Sequence, residues 1–104
     1  MTEVVISEAI AIADLPMPNS AEEMFDRGMM YASDRAAPAD LVSAHQWFNL
    51  AAMLGCVEAA QLRREIAAEM TDAQIGQAQR AARDWLKQNP VARAPQRPQL
   101  RAAA

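Results

Sequence analysis

Cysteine, histidine and long apolar runs are nearly missing from this 104-residue sequence. Its single cysteine, Cys56, cannot form an intramolecular disulfide, which favours a reducing compartment. Its single histidine, His45, excludes a metal site built from several histidines. No stretch approaches the roughly 20 apolar residues that span a bilayer, and the apolar segment near the N-terminus follows Glu3 rather than the basic residues of a secretory signal. These absences predict a cytoplasmic chain.

Catalytic motifs are absent as well. The sequence has no glycine-rich phosphate loop and no Ser/His/Asp pattern, so we expect no enzyme activity, no cofactor and no metal. His45 lies away from the apolar stripe of its predicted helix, which indicates a boundary residue rather than a catalytic base. Cys56 follows Gly55 at a helix junction with no obvious base or cation beside it, which predicts a buried or half-buried structural thiol.

Charge is unevenly distributed along the chain. The net charge is −3, yet residues 1–58 carry 9 acidic and 2 basic residues (net −7), and residues 59–104 carry 4 acidic and 8 basic residues (net +4). Arg80, Arg83 and Lys87 form a basic face on one flank of a predicted helix. This face is either a solvated surface that the helix dipole favours or an anchor for an acidic partner or nucleic acid. No aromatic residue is interleaved on that flank, so base stacking has no support.

Composition and helix-start signals predict one all-α domain. Three glycines among abundant Ala, Gln, Glu, Arg and Met favour helix over strand. Apolar residues recur at spacings of three and four, and Ser, Asp or Thr precedes most amphipathic stretches. The first helix is predicted to begin with a capping box at Ser20 and Glu23, and a turn over residues 33–39 follows it. The second helix begins after an N-cap at Asp40, and the third runs from Val57 to Met70. The fourth begins with a capping box at Thr71 and Gln74 and ends at Asn89-Pro90.

Both ends of the chain differ from this helical centre. Residues 1–19 form an N-terminal arm with helical spacing of its apolar residues, up to the segment Leu15-Pro16-Met17-Pro18, which must end any helix. Residues 89–104 form a basic Pro/Ala tail with three arginines and no acidic residue, a composition that predicts disorder. The last three alanines are similar to the apolar C-terminal tags that bacterial unfoldase-proteases recognise.

The centre of the chain carries a longer pattern with fixed gaps, Gly-x-x-Tyr followed by Asp-x-x-x-Ala-x-x-Trp-Phe-x-x-Ala-Ala-x-x-Gly. Its residues are Gly28, Tyr31, Asp40, Ala44, Trp47, Phe48, Ala51, Ala52 and Gly55. This pattern resembles the Sel-one-like repeat (SLR), a relative of the tetratricopeptide repeat, and residues 61–86 resemble the closing helices of bacterial members. The resemblance implies antiparallel α-α hairpins in a short solenoid fragment, with one hairpin over about residues 20–55 and a closing hairpin over about 56–88.

The chain departs from the family pattern in two places. Arg27 stands where the family usually has Leu, and Asp34-Arg35-Ala36-Ala37 replaces a Gly-x-Gly-Val turn, which puts the turn geometry in doubt. Helical repeat arrays usually need about three units to be stable. A single repeat hairpin therefore leaves an uncovered end, and the arm, a partner protein or a second copy of this chain must cover it.

Three apolar residues lie outside the predicted helix stripes. Met30 lies opposite the stripe of the first helix, and Leu50 and Met53 lie far from that of the second. Either Leu50 and Met53 pack on the third or fourth helix, or the three residues line a groove that adapts to a partner helix or peptide.

The predicted function is noncatalytic protein binding, as an adaptor or assembly factor in a bacterial cytoplasm, with no membrane partner. The bacterial attribution follows from the SLR resemblance. The alternative is a small regulator that contacts nucleic acid or an acidic partner through the basic face and the tail.

Overall fold

A computed structural model describes residues 12–33 and 40–89, and this part of the chain contains helices and no strand. The helices are α1 (Ala21–Ala32), α2 (Leu41–Met53), α3 (Val57–Ala67) and α4 (Asp72–Gln88), and a 3-10 turn (Ile12–Asp14) precedes them. The predicted all-α class is confirmed for these residues. The predictions for residues 1–11, for the tail beyond residue 89 and for most of the turn after α1 lie outside the described residues.

Two helices begin where short polar side chains were predicted to cap them. The Asp40 carboxylate accepts a hydrogen bond from the Ser43 backbone N–H at 3.0 Å, at the start of α2. At the start of α4, Thr71 Oγ1 accepts from the Gln74 N–H at 3.1 Å, and the Gln74 side chain accepts from the Thr71 N–H at 2.9 Å. These bonds satisfy N–H groups that have no partner within the helix.

The start of α1 differs from the predicted capping box. Ser20 Oγ accepts from the Glu23 N–H at 3.1 Å, as expected. The Glu23 carboxylate, however, accepts from the Asn19 N–H at 2.8 Å, one residue before the position that a capping box requires. The extended backbone of Ser20 (φ −142°, ψ 162°) leads directly into the arm, so Glu23 also anchors the last arm residue.

Helix α2 ends at a glycine with a positive φ, and helix α3 ends in tighter turns. Gly55 adopts a positive φ of 109° after α2, the conformation for which glycine was expected there. The third helix ends at Ala67 rather than at Met70. The following residues continue as tighter turns, because the N–H groups of Glu69 and Met70 donate to carbonyls only three residues back, at 2.9 and 3.0 Å.

Helix α2 is the centre of the structure. It packs against α1, α3 and α4, whereas α3 and α4 make little contact with each other. The two helices predicted to form the closing hairpin, α3 and α4, thus each pack mainly on α2. A helix covered on several sides must be apolar around most of its circumference, and six of the residues in α2 are buried.

Helices α1 and α2 approach each other closely at Gly28. A Cβ atom added to Gly28 would lie 2.6 Å from two carbon atoms of the Phe48 ring. The ring of Phe25 packs on the same Phe48, with 5.8 Å between centroids. The Asp40 N–H donates to the Tyr31 carbonyl at 2.8 Å, which joins the end of α1 to the start of α2. The small residue predicted at the contact, Gly28, is therefore required by the packing.

Candidate partner-binding surfaces

Arg27 connects α1 to the N-terminal arm. Its guanidinium donates a hydrogen bond to the backbone carbonyl of Pro16, and its central carbon lies 5.8 Å from the centroid of the Trp47 ring. Arg27 is only 9% exposed, so these contacts compensate in part for the water that the charge has lost. The Leu that the SLR pattern usually has here has no donor and could make neither contact.

Trp85 fastens the arm from α4. Its indole N–H donates to the Met17 sulfur at 3.4 Å, a contact between residues 68 positions apart in the sequence. The Trp85 ring also meets Trp47 edge-on, with 5.6 Å between centroids and 74° between planes. We call the set Pro16, Met17, Arg27, Trp47 and Trp85 the arm clamp. Through it the arm is attached to α1, α2 and α4 together.

An open groove lies between the arm and α1. Its volume is about 400 Å³. We call it the arm groove, and it is lined by Leu15, Pro16, Met17, Pro18, Asn19, Glu23, Asp26, Arg27 and Met30. Met30, predicted from the sequence to face a partner, is half-buried in its wall. The carboxylates of Glu23 and Asp26 stand exposed at its edge, so the groove combines apolar walls with an acidic rim.

The other two residues of the predicted groove lie elsewhere. Leu50 is fully buried (0% exposed) in the core around α2, so its assignment to a partner-binding groove is wrong. The sandwiched arrangement of α2 explains this burial. Met53 is 52% exposed at the last residue of α2, and Val57, at the first residue of α3, is 70% exposed. Met30 and Met53 therefore belong to two separate surfaces.

An acidic depression adjoins the arm groove. It measures about 480 Å³, is lined by Glu22, Phe25, Asp26 and Glu58, and shares Asp26 with the groove. All three of its carboxylate residues are exposed. Helix α1 therefore presents negative charge on both sides of Asp26, which concentrates part of the acidic excess of the first 58 residues on one surface.

The predicted basic face is present on α4. Arg80, Arg83 and Lys87 are all exposed, at spacings of three and four residues that place them on one flank. Asp84 is also exposed and lies four residues after Arg80 and three before Lys87, so it shares this flank. Its carboxylate offsets part of the positive potential that the sequence alone suggested.

His45 is buried and does not lie at a boundary as predicted. Its side chain is 3% exposed, and its Nδ1 atom has no hydrogen-bond partner among the described residues. Burial of the imidazole, followed by the positive charge of Arg63, lowers the pKa of His45 below its ordinary value of 6.5. Arg63 on α3 is itself bound to α2, since its guanidinium donates to the Asn49 side-chain oxygen at 2.5 Å. His45 is thus a neutral residue of the core at pH 7.

Within residues 12–33 and 40–89, no three His, Cys, Asp or Glu side chains lie together as a metal site would require. The Cys56 thiol is buried, in agreement with the predicted buried or half-buried position. None of the described helices is long and apolar enough to cross a membrane. Comparison of the chain with protein-family models, with curated proteins and with solved structures finds no significant match.

Sequence reasoning missed the arm clamp. Arg27 was noted only as a departure from the SLR pattern, and Trp85 only as an apolar residue of the fourth helix. The one available signal is an arginine at a position where the SLR pattern usually has leucine, since a buried guanidinium requires acceptors or an aromatic face nearby. That signal does not identify Pro16 and Trp47 as the groups that satisfy it.

Proposed function

We propose that this chain is a noncatalytic protein-binding module, an adaptor or assembly factor, that uses the outer flank of α1 to bind a partner protein. The observation that carries the proposal is the position of α1 at the edge of the structure. Helix α1 packs on α2 and on the arm, and it exposes Met29 (46%), which lies three residues after Asp26 of the groove lining. A large exposed apolar side chain beside a groove with polar edges is typical of a protein-binding surface.

The corner between α2 and α3 offers a second apolar surface. Met53 and Val57 are both more than half exposed and are separated by three residues of sequence around Gly55. Isolated exposed apolar residues are common in proteins. Two at one helix corner provide an anchor for the apolar face of a partner helix, which methionine suits because its side chain is flexible and polarizable.

The proposal includes assignment of α1 and α2 to one SLR-like hairpin. Three observations support it: the close approach of Gly28 to Phe48, the closure of the turn by the Tyr31 carbonyl, and the positive φ of Gly55. A bacterial, cytoplasmic location is part of the same proposal and rests on the SLR resemblance together with the single cysteine. Self-association through the flank of α1 is the alternative to a different partner protein.

The test compares two pairs of substitutions in the full chain. Met30→Glu with Met53→Glu places a charge on each apolar surface, and Gln77→Glu with Gln79→Glu adds the same charge to exposed positions of α4. Proteins captured from native lysate by the unsubstituted chain are identified and then rebound as purified proteins. We expect the methionine pair to weaken this binding at least tenfold and the glutamine pair to leave it unchanged. Equal binding by both variants, with both folded, would contradict the proposal.

A regulator that contacts nucleic acid is the second candidate, favoured by the common exposure of Arg80, Arg83 and Lys87. Phosphate contacts made by these residues would release counterions, so the affinity would fall steeply with salt. Retention of the full chain on duplex DNA at 50 mM but not at 200 mM salt, lost in an Arg80→Gln and Arg83→Gln variant, would favour this candidate over the first.

A further inference from the structure

The arm groove has a chemistry that suits a basic, partly apolar segment. Leu15, Met17 and Met30 contribute apolar surface to its walls. Glu23 and Asp26 contribute two exposed carboxylates at its rim. The guanidinium of Arg27 also lines the groove and is held by the Pro16 carbonyl and the Trp47 ring. Its charge offsets one of the two carboxylates, so the charged side chains of the lining sum to −1. The groove therefore favours arginine next to aliphatic residues or proline.

The C-terminal tail of the chain has this composition. Residues 90–104 contain three arginines, three prolines, Val91 and Leu100, and no acidic residue. Their point of attachment is close to the groove: Asn89 donates from its side chain to the Trp85 carbonyl at 2.8 Å, and the Trp85 indole reaches Met17 in the groove wall. Asn89 is four residues from Trp85, about 6 Å along the helix axis.

The tail is long enough to reach the rim. An extended chain covers about 3.3 Å per residue, so the eight residues from 90 to 97 can span about 25 Å. Asn89 is joined to the groove wall through only two contacts, to the Trp85 carbonyl and from the Trp85 indole to Met17, so the tail starts beside the groove. A short tether also raises the effective concentration of the tail at the groove to the millimolar range, so weak contacts suffice for occupancy.

We propose that residues 90–104 dock in the arm groove of the same molecule, with Arg97 and Arg101 on the carboxylates of Glu23 and Asp26. The docked tail contacts Met17 and Met30 in the groove wall. A partner that uses Met30 must then displace the tail. The docking itself does not depend on the proposed function, because it takes place in the free chain.

The test observes methionine methyl groups by NMR in the full chain. A nitroxide is attached at Gln99→Cys in a Cys56→Ala background, so that the label has a single site. We expect the methyl signals of Met17 and Met30 to broaden strongly and that of Met53, which is exposed outside the groove, to stay sharp. The broadening should weaken when the salt concentration rises from 0.1 M to 1 M, because the Debye length falls from about 10 Å to about 3 Å.

Two double variants each remove two arginine charges, one pair from the tail and the other, as the control, from α4. Arg97→Gln with Arg101→Gln should remove most of the broadening at Met17 and Met30, whereas Arg80→Gln with Arg83→Gln on α4 should leave it unchanged. Without any label or cysteine change, the first variant should also shift the Met17 and Met30 signals and leave Met53 in place. This second measurement remains informative if the Cys56→Ala background is poorly folded.

Three results would overturn the inference. Equal broadening of Met53 would mean that the tail has no preferred site. Unchanged broadening in the Arg97→Gln and Arg101→Gln variant would remove the role of the carboxylates. Isotope-labelled chains without nitroxide can be mixed with nitroxide-bearing chains that carry no isotope label. Broadening of the Met17 and Met30 signals in this mixture would mean that the tail docks on a second copy.

Discussion

The close approach of α1 and α2 predicts opposite effects for the same substitution at two glycines. In Gly28→Ala the new methyl carbon would lie 2.6 Å from two ring carbons of Phe48, whereas carbon atoms in contact prefer about 3.5–4.0 Å. The ring cannot retreat easily, because Phe48 is buried and packs on Phe25. Overpacking of this kind costs about 1–3 kcal/mol, and alanine in a helix recovers up to about 1 kcal/mol. We expect a net loss of about 1–2 kcal/mol in the free energy of unfolding.

The control is Gly76→Ala in α4. There the nearest atom to the added Cβ is the end of the flexible Arg80 side chain, at 3.3 Å, so the substitution should stabilise the chain by about 0.5–1 kcal/mol. Both free energies of unfolding can be measured by urea unfolding, followed by the circular dichroism signal of the helices. A Gly28→Ala variant as stable as the unsubstituted chain would refute the packing argument. A double variant with Phe48→Leu should be more stable than the two single effects added together, because the smaller side chain removes the clash.

Four further substitutions or conditions test other parts of the structure. Leu50→Ala should cost about 2–5 kcal/mol because Leu50 is fully buried, whereas Met53→Glu should change the unfolding free energy by less than about 0.5 kcal/mol; similar values for the two would contradict their separation. Trp85→Phe keeps an aromatic ring but loses the N–H that binds Met17 and part of the buried indole, so we expect a loss of at least about 1 kcal/mol and faster proteolysis within residues 12–19. Since the folded-state pKa of His45 is lowered, its contribution to stability is full above pH 6.5 and is lost as the pH falls below 6.5, by at most about 1.4 kcal/mol per pH unit. In His45→Gln, the free energy of unfolding in urea should therefore depend less on pH between pH 7.5 and 5.5. An unchanged slope of that free energy against pH would count against this explanation.

The helix starts could be predicted from the sequence because capping is local. Asp40 and Thr71 bond to groups three residues away, so the pattern that predicts the cap contains both partners. The same holds for Gly55, whose positive φ depends on the end of one helix. The start of α1 shows the limit of this reasoning, because Glu23 has two backbone N–H groups within reach and bonds to that of Asn19. The direction of the incoming arm, which the local pattern does not specify, decides between them.

The apolar stripe of α2 did not decide between the two alternatives for Leu50, of which the packed one is confirmed, and it gave a wrong position for His45. An apolar stripe indicates one buried face, and residues outside it are then expected to face solvent or a partner. Helix α2 instead packs on three other helices, so it has a wide buried face that includes the only histidine. The high apolar content of α2 is consistent with such a position, but it does not reveal which helices supply the cover. That information depends on contacts between distant parts of the chain.

The arm clamp explains how a chain with one repeat-like hairpin can cover part of its exposed edge. A second hairpin would cover α1 with helix; here Pro16 and Met17 are fastened to α1 and α4 by Arg27 and Trp85. An arm without regular hydrogen bonding to a neighbour covers less surface than a helix does, and the arm groove is the space that remains beside it. Arg27 anchors the arm through the backbone carbonyl of Pro16, and the space beside the anchored arm carries the exposed carboxylates of Glu23 and Asp26.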